Sequence, residues 1–180
     1  MTKGKRKESK RSPTFCSKKD LLKQGDEKCP QPNDIIAYST QIILDGQCSI
    51  PETKPDKEKI LATHHKIKVK KVETIDSSEV IDGNEIRGKK VIVAGIFNLG
   101  IEYSAKTPDQ RVHFFHCSFP FQAIVFQEVE GEERLFPVDF NLENYLVHVC
   151  VEDLQVEQID ERTIDRAVVL LIWLQPKEDC

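Results

Sequence analysis

Six cysteines are the side chains of this 180-residue chain with the most evident chemistry. None of them forms a Cys-x-x-Cys or Cys-x-Cys pair, so their spacing gives little support for a zinc site. Cys16, Cys29 and the last residue, Cys180, lie in polar stretches, where burial does not account for a cysteine. We expect these three to form disulfide bonds between subunits in an oxidising environment, the alternative being incidental thiols.

The other three cysteines lie within the β-rich part of the sequence. Cys117 and Cys150 occur in apolar, strand-like runs and are predicted to be small buried side chains with thiol groups. Cys48 is a weaker candidate for a disulfide bond. Six cysteines permit 15 pairings, and the sequence does not choose among them.

The histidines do not form a catalytic or metal-binding arrangement. On a strand, His113 and His116 point to opposite faces, while His113 and Cys117 share a face about 13 Å apart, too far to hold one ion. The chain also has no Walker loop, dinucleotide-binding fingerprint or Gly-x-Ser-x-Gly motif. We therefore expect no metal, no cofactor and no enzymatic activity.

Charge is distributed unevenly along the chain. Residues 1–28 contain ten basic and four acidic residues, a net charge of +6, whereas the remainder contains 16 basic and 26 acidic residues, a net charge of −10. The basic residues proposed to make contacts are Lys3, Lys5, Arg6, Lys7, Lys10, Arg11, Lys18 and Lys19. The proposed acidic surface of the body comprises Glu128, Glu130, Glu132 and Glu133.

Three interpretations of this basic arm remain open. It binds nucleic acid, it binds the acidic body of a neighbouring copy, or it serves only as a solubilising tail. The arm has one aromatic residue, Phe15, and no nucleic-acid-binding motif, which argues against a nucleic-acid partner. Opposite charges on one chain favour self-association.

Hydropathy patterns divide the chain into three parts. Residues 1–33 are predicted to be a flexible or extended basic arm, residues 34–175 a β domain, and residues 176–180 a polar tail that ends in a cysteine. Apolar residues alternate most clearly between Lys90 and Ser104, and turn signals are closely spaced. Pro55, followed by acidic residues and Ile60-Leu61, predicts one short helix. The expected fold is an all-β sandwich or barrel with one short helix.

Targeting and membrane signals are absent from the sequence. The longest apolar run, Ala167 to Leu174, has eight residues, whereas a membrane helix needs about 20. The first thirty residues contain no apolar segment typical of a signal peptide. We expect synthesis in the cytosol and no insertion into a membrane.

Two stretches together resemble the SPOCS domain of spore coat and spore morphogenetic proteins from endospore-forming Firmicutes. The first is the Ile-Pro-x-x-Lys-Pro-Asp element that ends in Lys54-Pro55-Asp56. The second runs from Gly88 to Phe121 and contains Gly-Lys-Lys-Val-Ile-Val-Ala-Gly and Ile101-Glu102-Tyr103, followed by Pro108 to His113. Arg162-Thr163-Ile164 fits the last hairpin of that domain, so the resemblance covers about residues 35–175.

This resemblance implies a non-enzymatic structural part of the spore envelope, in the coat, the exosporium or a spore appendage. It also implies synthesis in the mother cell and deposition on the spore surface. Some family members carry a LysM module that docks on the coat scaffold, and this sequence shows none. The expected partners are copies of itself and other spore envelope proteins. A monomeric or dimeric adaptor that recruits another coat protein is the alternative.

Overall fold

Strands make up 76% of the computed structural model, which describes residues 29–30, 36–109 and 111–177. The eight strands are β1 (Tyr38–Ser49), β2 (Lys57–Ile81), β3 (Asn84–Ala105), β4 (Val112–Val125), β5 (Gln127–Val129), β6 (Glu132–Arg134), β7 (Tyr145–Gln158) and β8 (Thr163–Pro176). One turn of 3-10 helix, Leu142–Asn144, precedes β7. The predicted all-β fold is confirmed.

The strands form two three-stranded antiparallel sheets and one small hairpin. The strand order is β1-β8-β7 in the first sheet, here called sheet A, and β2-β3-β4 in the second, sheet B. Strands β5 and β6 form the hairpin. In each large sheet two strands are edges, and β2 is a 25-residue edge strand.

The hydrophobic core lies between the two sheets, because alternate side chains of each strand point inward. Val91 and Phe97 of β3 and Leu170 and Ile172 of β8 are completely buried and belong to one continuous cluster. The alternation of β8, with every second residue buried from Ile164 to Leu174, produces an inner and an outer face. The outer faces carry the residues from which function is argued below.

Asp82 and Gly83 form the tip of the long β2–β3 hairpin. Both residues have positive φ, 50° for Asp82 and 80° for Gly83, as a two-residue type I′ turn requires. Glu130 and Gly131 repeat this geometry at the tip of the β5–β6 hairpin, with φ of 54° and 82°. These two turns project their hairpins away from the core.

The short helix predicted near Pro55 is wrong, since the segment forms a loop that leads into β2. The N–H of Lys54 donates to the carbonyl oxygen of Pro51 in a single turn, and the strand begins at Lys57. Register shifts at residues 57–59 and 60–62 interrupt the two-residue period there. These bulges hid the strand in the sequence pattern.

Candidate interaction surfaces

The loop of residues 50–56 is fixed by one side chain, Arg162, at one end of the sandwich. Its guanidinium donates to the carbonyl oxygens of Ile50 at 3.0 Å, Pro51 at 2.9 Å and Lys54 at 3.3 Å. It also forms an ion pair with Asp56. Arginine suits this role because its planar group presents several donors in fixed directions. Arg162 and the Lys54-Pro55-Asp56 element that it holds, here called the Arg162 lock, therefore have a structural role.

Two further polar side chains, Tyr103 and Lys57, complete this end of the molecule. The hydroxyl of Tyr103 donates to the carbonyl oxygen of Pro55 at 3.0 Å, and burial raises the pKa of that phenol. Lys57 is completely buried, and its ammonium group donates to the carbonyl oxygen of Asp160. Burial lowers the pKa of Lys57, although the nearby carboxylates of Asp160 and Glu161 oppose this shift.

Two glycines of the motif in β3 allow close packing. A Cβ atom at Gly88 would lie 2.5 Å from the carbonyl oxygen of Phe136. A Cβ at Gly95 would lie 2.6 Å from the ring of Phe121 and 2.7 Å from the carbonyl oxygen of Lys68. Both glycines therefore permit close packing of neighbouring backbone and side-chain atoms. The motif to which they belong is thus a feature of the fold.

The structure pairs four of the six cysteines within one chain. Cys29 is bonded to Cys150, with Cα atoms 5.3 Å apart, and Cys48 to Cys117, with Cα atoms 6.3 Å apart. The expectation that Cys29 bonds to another subunit is wrong here, because its sulfur is bonded to that of Cys150 in the same chain.

The expectations for the other cysteines have mixed outcomes. Cys117 and Cys150 are buried as expected, with exposures of 8% and 0%, but they are disulfide-bonded and are not thiols. Cys48, the weaker candidate, forms a bond that joins the two sheets. Cys16 and Cys180 lie outside the described residues, so bonds between subunits at these positions stay a prediction.

The four glutamates predicted to form an acidic surface of the body lie on the β5–β6 hairpin, here called the acidic hairpin. Glu128, Glu130, Glu132 and Glu133 are all exposed, and Glu128 lies directly opposite Glu133 across the two strands. Like charges in this position repel each other by about 0.2–1 kcal/mol. Only Glu132 has a cationic partner on the hairpin itself, Arg134. The predicted basic arm residues lie outside the described residues.

Strand β2 carries a surface of the opposite charge, here called the lysine row. It comprises Lys66, Lys68, Lys70 and Lys71, all exposed along an edge strand. Repulsion from Lys68 lowers the pKa of Lys70. Lys71 pairs with Glu73 at 2.6 Å. The lysines at 66, 68 and 70 alternate with the buried Ile67 and Val69, so the two-residue period of the strand places them together on its outer side.

A groove of about 400 Å³ opens on the outer face of sheet B. Its lining includes His64, Asn98, Phe114 and His116. A nitrogen of the His64 ring lies 3.1 Å from a carboxylate oxygen of Glu102. A Cβ at position 100 would lie 2.6 Å from the ring of Phe114. These side chains suit contact with a polar partner.

Within residues 29–30, 36–109 and 111–177, no three His, Cys, Asp or Glu side chains are arranged to hold a metal ion. The same part of the chain contains no helix long and apolar enough to span a membrane.

A family model described as SipL, SPOCS domain, matches residues 56–159, which is more than half of the chain. Searches of curated proteins and of solved structures found no match. The matched region begins at Asp56 of the Arg162 lock and includes the β3 glycines described above. The chain therefore belongs to the SPOCS domain family and is a sporulation-related protein.

Proposed function

We propose that this chain is a non-enzymatic structural protein of the endospore envelope, in the coat, the exosporium or an appendage. It is made in the mother cell and deposited on the spore surface. Copies associate there through strand-edge contacts and through contacts between arm and body. Membership in a sporulation-related family supports the setting of this proposal.

One observation carries self-association: two separate exposed surfaces of the same chain have opposite charge. The lysine row lies on the edge of sheet B, and the acidic hairpin follows β4. Each surface contains like charges close together, and a partner of the other sign relieves that repulsion. Because the two surfaces differ, the contact is head to tail and can repeat without closing.

The lysines also restrict how the edges of the sandwich pair. Lysine on an edge strand is a common protection against pairing with another strand. Two copies of β2 facing each other would bring Lys66, Lys68 and Lys70 of both chains together, so this pairing is disfavoured. The edge therefore discriminates against its own copy and favours an acidic surface.

Disulfide cross-links between copies are part of the proposal at Cys16 and Cys180. The other four cysteines are bonded within the chain. Disulfide bonds form where the surroundings are oxidising, as they are outside the cell. Cross-linking of Cys16 and Cys180 therefore follows deposition.

A charge exchange tests the contact. One variant carries Lys66→Glu, Lys68→Glu and Lys70→Glu, and a second carries Glu128→Lys, Glu130→Lys and Glu133→Lys. Negative-stain electron microscopy and light scattering then report assembly of the wild type, each variant and their equimolar mixture. We expect the wild type to form fibres or sheets and each variant alone to stay dispersed. The mixture should assemble, because each variant supplies the surface that the other has lost.

Parallel oxidised and reduced samples test the role of Cys16 and Cys180, and regular assemblies should weaken on reduction. Dispersed particles of wild-type protein in both conditions would reject self-assembly. Normal assembly of either variant alone would reject the lysine row and the acidic hairpin as partners, and leave the structural role to other surfaces.

An adaptor that recruits another envelope protein is the second candidate. The groove lined by His64, Asn98 and Phe114 favours it, since grooves on a rigid sheet commonly receive a partner. This function predicts a monomer or dimer that co-purifies with a different envelope protein. It also predicts loss of that partner on substitution of Phe114. Nucleic-acid binding through the basic arm is a lesser alternative.

A further inference from the structure

The outer face of sheet A has a composition that the core does not explain. Residues opposite each other in an antiparallel sheet lie on the same face, so the register defines this surface. In β8 it consists of the residues that alternate with the core positions. Its central members are Ile43 of β1, Val169 and Leu171 of β8, and Cys150 of β7.

Five carboxylates share this face, here called the acidic face. They are Asp45, Glu152, Asp153, Glu157 and Asp165. The amide of Gln41 on β1 donates to Glu152 of β7 at 2.8 Å, across the intervening strand β8. None of the residues that the register places on this face is a lysine or an arginine. The described part of the face therefore has a formal charge of −5.

An apolar strip lies beside the carboxylates. Ile43 is 69% exposed, and Val169 and Leu171 are half-buried beside it. At one end, the rings of His148 and Trp173 stack with centroids 4.8 Å apart and are nearly buried. An exposed apolar strip bordered by carboxylates matches a segment that combines basic residues with a few apolar ones.

The Cys29–Cys150 bond fixes where the preceding chain meets this surface. Cys150 lies opposite Leu171, beside the apolar strip, and the five carboxylates lie along the strands to one side of it. Residues 1–28 therefore start from that point, and they carry a net charge of +6 with Phe15, Leu21 and Leu22 as apolar residues. Cys29 lies seven positions after Leu22 in the sequence, a reach of at most about 25 Å. A short tether of this kind gives an effective concentration on the order of mM.

We infer that residues 1–28 dock on the acidic face of their own molecule, with basic side chains on the carboxylates and Leu21 and Leu22 on the apolar strip. The contact is intramolecular, so it stands whether or not copies associate. It leaves the lysine row and the acidic hairpin exposed. In this arrangement the arm binds its own molecule and not a neighbouring copy, so association of copies would depend on the lysine row and the acidic hairpin alone.

Methyl NMR of the dilute, oxidised full-length protein tests this docking. Ile43, Val169 and Leu171 report on the acidic face, and Ile92, Ile96 and Ile124 on the outer face of sheet B serve as the matched control. Deleting residues 1–28 keeps Cys29 and its bond. We expect the first three methyl signals to shift and the control signals to stay in place.

Two further measurements keep the test independent of the deletion. In the full-length protein, Lys18→Glu, Lys19→Glu and Lys23→Glu should shift the same three signals. So should 1 M salt, because it reduces the Debye length to about 3 Å. Equal substitutions of Glu128, Glu130 and Glu132 by Lys, on the acidic hairpin, should leave those signals unchanged.

Shifts at Ile92, Ile96 and Ile124, or at no methyl group, would overturn the assignment of the acidic face. Shifts that depend on protein concentration would also overturn it, because they would place the arm on a second copy. Neither result depends on the formation of fibres, so the proposed envelope role is judged separately.

Discussion

Asp160 accepts two backbone hydrogen bonds in the loop between β7 and β8. The N–H groups of Arg162 and Thr163 donate to its carboxylate at 2.7 and 2.6 Å. These bonds lower the pKa of Asp160, and the ammonium group of Lys57 adds to the effect. The carboxylate shapes the turn that presents Arg162 to residues 50–56, so the Arg162 lock depends on its charge.

Asp160→Ala should reduce stability at neutral pH and change its pH dependence. Because the folded pKa lies below the unfolded one, the stabilisation is complete above the unfolded pKa of about 3.9 and is lost as the pH falls through the folded pKa. In urea unfolding at pH 7, the variant should therefore have a lower free energy of unfolding than the wild type. This difference should disappear as the pH is lowered to 2.5.

Asp160→Asn separates the hydrogen bonds from the charge, since its amide oxygen can still accept the two N–H groups. At pH 7 we expect the free energy of unfolding of Asp160→Asn to lie between those of the wild type and Asp160→Ala. Asp139→Ala, on another exposed loop, controls for the loss of a carboxylate. A difference in the free energy of unfolding between wild type and Asp160→Ala that is equal at pH 7 and pH 2.5 would contradict the role assigned to Asp160.

Among the elements, β3 is the strand on which the sheet B packing depends. It pairs on both sides and contains two glycines whose hydrogen atoms meet aromatic rings. At Gly95 the obstacle to a side chain includes the backbone oxygen of Lys68, which cannot move without the sheet. At Gly100 the two atoms that a Cβ would clash with, at 2.6 and 3.0 Å, belong to the outward-facing ring of Phe114, and the carbonyl oxygen of His64 lies at an ordinary contact distance of 3.6 Å. The two positions therefore differ in how well they tolerate a side chain.

Gly95→Ala and Gly100→Ala form a matched pair on one strand. Gly95→Ala should lower the free energy of unfolding by about 1–3 kcal/mol, the usual cost of overpacking. Gly100→Ala should cost less, because the Phe114 ring can turn toward solvent. Urea unfolding measures both, and an equal or larger loss at Gly100 would contradict this account.

A strand could be predicted from the sequence where apolar residues recur at every second position without interruption. Lys90 to Ser104 lies within β3, and the parity change at Lys71-Val72 marks a real bulge after Val69. The helix near Pro55 was predicted wrongly because a proline and nearby acids also occur in loops. Bulges at residues 57–62 removed the period that would have corrected it. Local patterns do not contain the distant Arg162 that fixes the loop.

At the scale of the whole molecule, the Cys48–Cys117 bond joins β1 of sheet A to β4 of sheet B. Residues 69 positions apart are linked, so the bond restricts the unfolded chain considerably. Removing such a bond typically costs about 2–4 kcal/mol. The pairing could not be read from the sequence, because all 15 arrangements fit the same spacing. The acidic face was equally hidden, since its carboxylates come from three strands that only the register brings together.

Replacing Cys48 and Cys117 together by alanine should lower the free energy of unfolding by about 2–4 kcal/mol under oxidising conditions. Guanidinium unfolding with and without a reductant measures this. The difference between variant and wild type should shrink in the reductant, because the wild type then loses the same bond. Cys16→Ala serves as the control, and a variant as stable as the oxidised wild type would exclude a stabilising role for the bond.

The position of this bond also determines how the sandwich responds to mechanical load. It closes the side on which β1 and β4 meet, whereas the described parts of β2 and β7, on the other side, have no covalent connection. A force that pulls the sheets apart therefore opens the molecule from the β2–β7 side, with the sulfur bridge as the hinge. The lysine row lies on the opening side, so tension in an assembly would be carried first by ionic contacts that can re-form, while the chain stays joined behind them.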